Sequence, residues 1–368
     1  MSLDILGMVS TKEASETRGS FFDGPAVDTA YLTRFAKAHD AAGFDRVLIG
    51  YGATSPDGFA VAGHVLASTE RLGVLIAHRP GFVVPTLVAR KLATLDQLSG
   101  GGRVAIHHIS GGNDADQRRD GDFADHDTRY ERTAEFMAVL RRTLTADAPF
   151  DHEGRFYRFA GAYSSVRPAP PAGIPLFFGG QSDAAVAVGA QHADVYMLFG
   201  EPLEQTAQRI ALLRAAAARH GRTLRFSLST RPIIADTEDA AWARAEAIAA
   251  ETRRRVAAAT QGGQGFPGLS NSVASERLQQ VAARQQVYDD RLWFGVTALT
   301  GPGGNSSGHV GTAQQVADAL LRYHDIGVDT FLIRGFDPYE DVVHWGRELI
   351  PALRAGATRQ PAGFLPVR

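Results

Sequence analysis

Eight times along this chain a short run of apolar residues is followed by a stretch whose apolar side chains recur at helical spacing. No other feature constrains the fold as strongly. The runs begin near residues 3, 45, 72, 103, 175, 194, 224 and 330. Apolar residues on consecutive positions describe a strand buried on both faces, as parallel strands flanked by helices are. Eight such units predict a closed (β/α)8 TIM barrel rather than an open sheet, because none of the runs has the character of an exposed edge. Residues 84–111, VPTLVARKLATLDQLSGGGRVAIHHISG, show the unit in full. Pro85 suits a first helical turn, where its missing N–H costs nothing, and Val88, Leu92, Leu95 and Leu98 predict the buried face. Gly100 to Gly102 end the helix, Val104 to Ile106 form the strand, and His107, His108 and Ser110 follow at its carboxyl end.

The length of 368 residues and 44% hydrophobic content allow a large core. We read residues 1–368 as one barrel domain, with a mobile lid insertion at about 258–291, where ATQGGQGFPGLSNS is too rich in glycine and polar residues for core. Lys and Arg total 38 against 40 Asp and Glu, a net charge of −2, and no basic run suggests nucleic acid or a membrane surface as partner. With no cysteine, disulfides, thiolate metal sites and thiol nucleophiles are excluded. The start of the chain lacks a signal-peptide pattern and no stretch is long enough to span a bilayer, so a cytoplasmic location is expected.

Local signals set further boundaries. Asp28 is a good N-cap for a helix ending at Gly43, Thr312 and Gln315 form a capping box, and 150–166 reads as an extended or hairpin insertion. Residues 113–127 are too charged for core, 237–255 and 339–355 are expected helices, and 357–368 a surface tail. In a barrel the chemistry gathers at the carboxyl ends of the strands, which predicts a mouth built from Ser10, Tyr51, His78, His108, Ser110, Ser182, Phe199, Arg231 and Arg334.

The chain has no GxSxG elbow, HExxH, Walker loop or strand–GxGxxG–helix. His78, His107 and His108 could hold a metal only in part, since neighbours 107 and 108 point to opposite faces of a strand. FFGGQSD at 177–183 is more telling: a strand that delivers two glycines and a serine to a helix start offers free N–H groups and a hydroxyl to a phosphate. Arg129 and Tyr130 could add charge and a second hydroxyl, while the bland alternative is Ser182 as a plain N-cap. For Arg231 and Arg334 the bland alternative is an ion pair with Asp337, Glu340 or Asp341.

ATLDQLSGGGRVAIHHISGG, RYERTAEFMAVLRRTL, IPLFFGGQSD, ADVYMLFGEP and VGTAQQVADALLRYHDIGVDTFLIRGF resemble, in order and spacing, the bacterial-luciferase-like flavin monooxygenases. Within them the chain is most similar to the two-component alkanesulfonate monooxygenases. The resemblance implies a homodimer or homotetramer that uses O2 and FMNH2, the latter supplied by a separate NAD(P)H-dependent flavin reductase. It places cofactor contacts at Ile49, Gly50, His107, near Asp116, and at Arg129, Tyr130 and Ser182, to which the glycine turn itself adds Gly179 and Gly180. From their places at strand ends, Arg231, Arg334 and His108 are the expected catalytic groups and Ser10, Tyr51, His78 and Phe199 the expected substrate pocket, to which family positions add Ser55 and Phe336. The pattern departs from the alkanesulfonate enzymes at Ser55, Phe199 and Phe336, which replace a cysteine, a tryptophan and a tyrosine. It departs again at Ser229–Thr230–Arg231, in place of arginine–x–histidine, and at about Thr300, in place of an arginine. The expected activity is oxygenation of a small organic molecule, organosulfur compounds and sulfonates included. A deazaflavin-dependent oxidoreductase and a non-catalytic flavin-binding protein are the alternatives.

Overall fold

Parallel pairing of buried strands organises the computed structural model, which describes residues 3–17, 26–111, 113–169, 173–261, 273–300 and 307–359. The barrel strands, in chain order, are Asp4–Val9, Arg46–Ile49, Gly73–His78, Val104–His108, Leu176–Gly179, Val195–Phe199, Arg225–Ile234 and Thr330–Ile333. Each neighbours the next in one sheet, the eighth pairs with the first, and a pairing of the seventh with the sixth closes the ring. The strands are apolar throughout because both faces are covered: Val74, Leu75, Ile76, Val104, Ala105 and Ile106 are all fully buried. Burying a side chain of this kind contributes about 1.5–3 kcal/mol, so this inner set is the main source of stability.

By its contacts the chain divides into two compact units, one of residues 1–45, 197–212 and 225–368, the other of 46–196 and 213–224. In the second unit, the third and fourth strands pair in register with Ile76 opposite Ile106 and His78 opposite His108. Helix Pro85–Leu98 begins at the proline as expected, and Gly100, Gly101 and Gly102 all take positive φ, of 87°, 91° and 75°. Asp96, fully buried, explains that turn: its carboxylate accepts from Gly102 N and Ala169 N, both at 2.8 Å. The buried face is narrower than the sequence suggests, for Leu98 is 80% exposed. Ten residues beyond Val88, it has rotated off the face that Val88 and Leu92 define.

In the first unit, the seventh strand does two jobs. Ser227–Thr230 pair with Thr330–Ile333, whereas Arg231–Ile234 pair with the added strand Gly308–Gly311. Arg231 is therefore the first residue past the ladder with the eighth strand. The predicted caps form: Asp28 accepts from Tyr31 N, Gly43 is left-handed, and the Thr312–Gln315 capping box is complete. Other boundaries shift. Helix Glu238–Gln261 ends six residues later than expected, 339–355 breaks into Pro338–Arg347 and Leu349–Arg359, and the charged excursion holds the short helix Asp114–Arg119. The centre of the expected lid, 262–272, lies outside the described residues, as does most of the 357–368 tail. Among the described residues no helix is long and apolar enough to cross a membrane.

Candidate functional site

Within the second unit, the fifth strand runs into Gly179–Gly180 and then helix Asp183–His192. Gly180 has φ +139°, and a methyl there would lie 2.6 Å from Ala185 Cβ and 3.2 Å from the Tyr130 hydroxyl. Only glycine fits that turn. Ser182 caps the helix through Ala185 N, so the bland role is real, yet Tyr130 also hydrogen-bonds the Ser182 side chain. Tyr130, Gly180 and Ser182 thus surround a helix N-terminus, where backbone N–H groups and the helix dipole favour an anion. Burial pushes the Tyr130 hydroxyl pKa up, so it stays a neutral donor. Arg129 is adjacent and buried, and its guanidinium is held by Asp114, at 2.7 Å, and by the carbonyls of Ala124 and Gly111.

Tyr51, Asp116 and Asp120 are brought together by a residue that sequence reasoning passed over. Arg79, nearly inaccessible, pairs with Asp116 at 3.1 Å and with Asp120, and its guanidinium lies 4.3 Å over the Tyr51 ring. Asp116 also accepts from Ala53 N at 3.1 Å. A cation one residue past the third strand was the available signal. Ser55 does not join this group; it is an exposed turn residue whose N–H bonds Gly52 O. Gly50 follows the second strand, while Ile49 is buried and packs toward Gly58 at the start of helix Gly58–Ser68.

The histidines separate as strand alternation requires. His108 is fully buried against Phe136 of helix His126–Thr145, and His78 packs between Phe59 and Phe136. Both therefore face the helices, which corrects the placement of His108 among catalytic groups and of His78 in the substrate pocket. Burial lowers the His78 pKa to about 3 and drives His108 well below its ordinary value, so both are neutral packing groups. His107 lies on the opposite face, with burial lowering it to about 4. Ser110 is tied to Thr133 Oγ1 at 3.0 Å.

In the first unit Arg231 makes a two-pronged ion pair with Glu16, at 2.9 and 2.6 Å, and lies 3.5 Å over the ring of buried Phe336. The expected ion-pair alternatives are taken by another residue: Arg244 pairs with Asp341 at 2.6 Å and Asp337 at 3.7 Å. Burial alone would raise the Glu16 carboxyl, but Arg231, Arg334 and Arg255 leave it below the ordinary value. Arg334 is lowered to about 10, chiefly by repulsion from Arg231 and then by burial, with Glu16 opposing. Glu16 sits in a polar loop with no sequence pattern to mark it. Ser10, half-buried at the end of the first strand, faces the Tyr31 hydroxyl.

Phe199 packs with Leu278, Val281 and Phe294. Beside it, buried Glu201 accepts from Arg277 at 2.7 Å, so helix Val273–Arg284, a flank of the insertion, is anchored to the loop after the sixth strand. Thr300 is buried, with its hydroxyl on Val296 O.

A sequence profile described as luciferase-like monooxygenase matches residues 8–330. Solved structures share the fold at low identity. A riboflavin lyase, RcaE, solved with modified FMN and substrate riboflavin, is 20% identical with a TM-score of 0.75, covering 99% of this chain and 94% of that one. EDTA monooxygenase EmoA from Chelativorans sp. BNC1 is 19% identical with a TM-score of 0.75, covering 99% and 96%. DmoA from Hyphomicrobium sulfonivorans is 22% identical with a TM-score of 0.75, covering 100% and 90%. An F420-dependent secondary alcohol dehydrogenase is more distant, at 17% identity and a TM-score of 0.66, covering 96% and 99%. With the closed barrel, the glycine turn after its fifth strand and a profile spanning nearly the whole chain in agreement, this chain belongs to the luciferase-like monooxygenase family.

Proposed function

We propose that the chain is an FMNH2-dependent monooxygenase that oxygenates a small organic substrate, with reduced flavin delivered by a separate reductase. The observation that carries this reading is the Gly180–Ser182–Tyr130 cradle, which suits a phosphate and leaves no room for a side chain. Bound FMNH2 supplies the electrons that activate O2. Ser182, Tyr130 and the N–H groups of the helix start would hold its phosphate, with Arg129 exchanging Asp114 for the phosphate charge. Ile49, Gly50, His107, Asp116 and Gly179 are the remaining proposed cofactor contacts. Arg231 and Arg334 would offset negative charge that develops during oxygen transfer, and Phe336 holds the Arg231 plane in place. Phe199 and the anchored helix Val273–Arg284 would keep water out, which a reduced flavin needs if oxygen is to reach substrate rather than leave as hydrogen peroxide. Ser10 and Tyr51 are proposed to line the substrate side, and a homo-oligomer is the proposed assembly.

The likeness to an F420-dependent enzyme favours a second reading, hydride transfer with a deazaflavin. Oxygen uptake with FMN, NADH, a flavin reductase and a panel of sulfonates, sulfones and small acids separates the two. Substrate-dependent oxygen consumption with product formation is the expected result. Turnover only with reduced deazaflavin, and without oxygen, would replace this reading by the second.

A further inference from the structure

Three loops of the second unit meet on one side chain. Arg79, one residue past the third strand, donates from one terminal nitrogen to Asp116 Oδ2 at 3.1 Å and from the other to Asp120. Its guanidinium lies 4.3 Å from the centre of the Tyr51 ring and 5.0 Å from that of Phe82, and the Tyr51 hydroxyl reaches Asp120 Oδ2 at 3.4 Å. The arginine is 3% exposed, while the two carboxylates are 27% and 26% exposed. A planar fork that sends separate nitrogens to two carboxylates fixes their spacing, and the rings beside it fix its plane. Asp116 is held from a second side, since Ala53 N donates to its Oδ1 at 3.1 Å. Arg119, largely in solvent at 4.0 Å, adds little. An ionised carboxylate has about four lone-pair sites, so Asp116 can accept from a ligand hydroxyl or ring N–H without leaving Arg79.

The other ties of the charged excursion are of a different kind. Asp114 sits on Arg129 at 2.7 Å, Asp122 on Arg132, and buried Gln117 packs against Gly111, where a methyl has no room. Arg129 and Arg132 belong to helix His126–Thr145, which continues the same segment of chain. Arg79 comes instead from the end of another strand, so it sets where Asp116 stands relative to the second and third strands. When a phosphate takes the place of Asp114 on Arg129, Arg79 still holds Asp116 and Asp120.

We propose that Arg79 is a positioning residue for flavin binding: it holds the Asp116 carboxylate at the flavin, and its effect on affinity passes through Asp116 and not through the phosphate. This rests on the proposed reading of Asp116 as a flavin contact, and adds to it the residue that keeps that contact in place.

The test is a double-mutant cycle read by fluorescence quenching of FMN and of riboflavin, with wild type, Arg79→Met, Asp116→Asn and the double variant. Arg79→Met is expected to weaken both flavins by the same factor, at least tenfold, and Asp116→Asn to weaken both as well. The double variant should bind no more than threefold more weakly than the weaker single variant, because the second change removes a group already out of place. A merely structural arginine would instead give losses that multiply. Should Arg79→Met fail to fold by circular dichroism, Arg79→Lys takes its place in the cycle: it keeps the charge without the fork, and at least a threefold loss for both flavins is expected. Unchanged affinity in the arginine variant, losses that multiply, or a loss confined to FMN would overturn the proposal, even if wild type proves to be an oxygenase. No flavin binding by wild type would overturn it together with the flavin reading. If the cycle behaves as expected but FMNH2 supports no oxygenation, the positioning role stands and the oxygenase reading fails.

Discussion

Arg129 Nη2 lies 2.7 Å from Asp114 Oδ1, and the two side chains differ sharply in exposure, 5% against 63%. The arginine is built into the structure while its partner reaches in from solvent. An exposed carboxylate on a short helix is easily displaced, and a phosphate offers the buried guanidinium more charge and a better fit. Arg129→Ala should therefore raise the FMN dissociation constant roughly tenfold to a hundredfold, from a loss of about 1.5–3 kcal/mol for a charge-assisted hydrogen bond. Riboflavin, which has no phosphate, should bind as before. Fluorescence quenching titrations decide the matter, and equal losses for both ligands would remove the phosphate from Arg129.

Gly180 offers an independent check on the same cradle. Its positive φ and the 2.6 Å approach of Ala185 Cβ leave a new methyl nowhere to go. Gly180→Ala should lower stability by about 1–3 kcal/mol and weaken FMN more than riboflavin. A variant with wild-type melting temperature and wild-type FMN affinity would show that the turn is neither tight nor a phosphate contact.

Buried neutral histidines give the fold a predictable acid sensitivity. His39 and His107 are lowered to about 4, and His78 and His309 to about 3, in each case mainly by burial, from an ordinary value of 6.5. Below pH 6.5 the unfolded chain takes up protons that the native state refuses, so stability falls as pH drops toward 4. Each such group contributes roughly 1.4 kcal/mol per pH unit across that window. His78→Leu should remove one group's share of the slope, read from urea midpoints at pH 6 and pH 5. A slope identical to wild type would mean that His78 is protonated in the native state.

The Glu201–Arg277 pair lets the proposed water-exclusion role of the insertion's flank be examined away from the proposed flavin contacts. Glu201 is buried, and its loss as a charge frees the arginine that ties helix Val273–Arg284 down. Glu201→Gln should leave FMN affinity within twofold and raise the hydrogen peroxide formed per substrate oxygenated several-fold. Unchanged coupling would assign the helix a purely structural role.

Strand and helix order, most caps and the glycine turns were legible in the sequence because they obey local rules. Consecutive apolar residues at 74–76 and 104–106 demand burial on both faces, Pro85 can begin a helix but not continue one, and Gly43 and Gly100 to Gly102 take backbone angles that side chains resist. Residues 177–183 were legible for the same reason, since a strand, two glycines and a capping serine are set by nearest neighbours. The partners of charged groups were not. The bland alternative for Arg231 was an ion pair with Asp337, Glu340 or Asp341, yet Arg244 holds Asp337 and Asp341 while Glu16, 215 positions away, holds Arg231. His78 and His108 stood at strand ends like mouth residues, yet their register against Phe136 turned them to the helices. Backbone hydrogen bonds and burial are repaid within a few residues, so the sequence by itself determines them. Which carboxylate meets which guanidinium, and which face of a strand end looks inward, depend on how distant segments come together, and only the tertiary structure decides that.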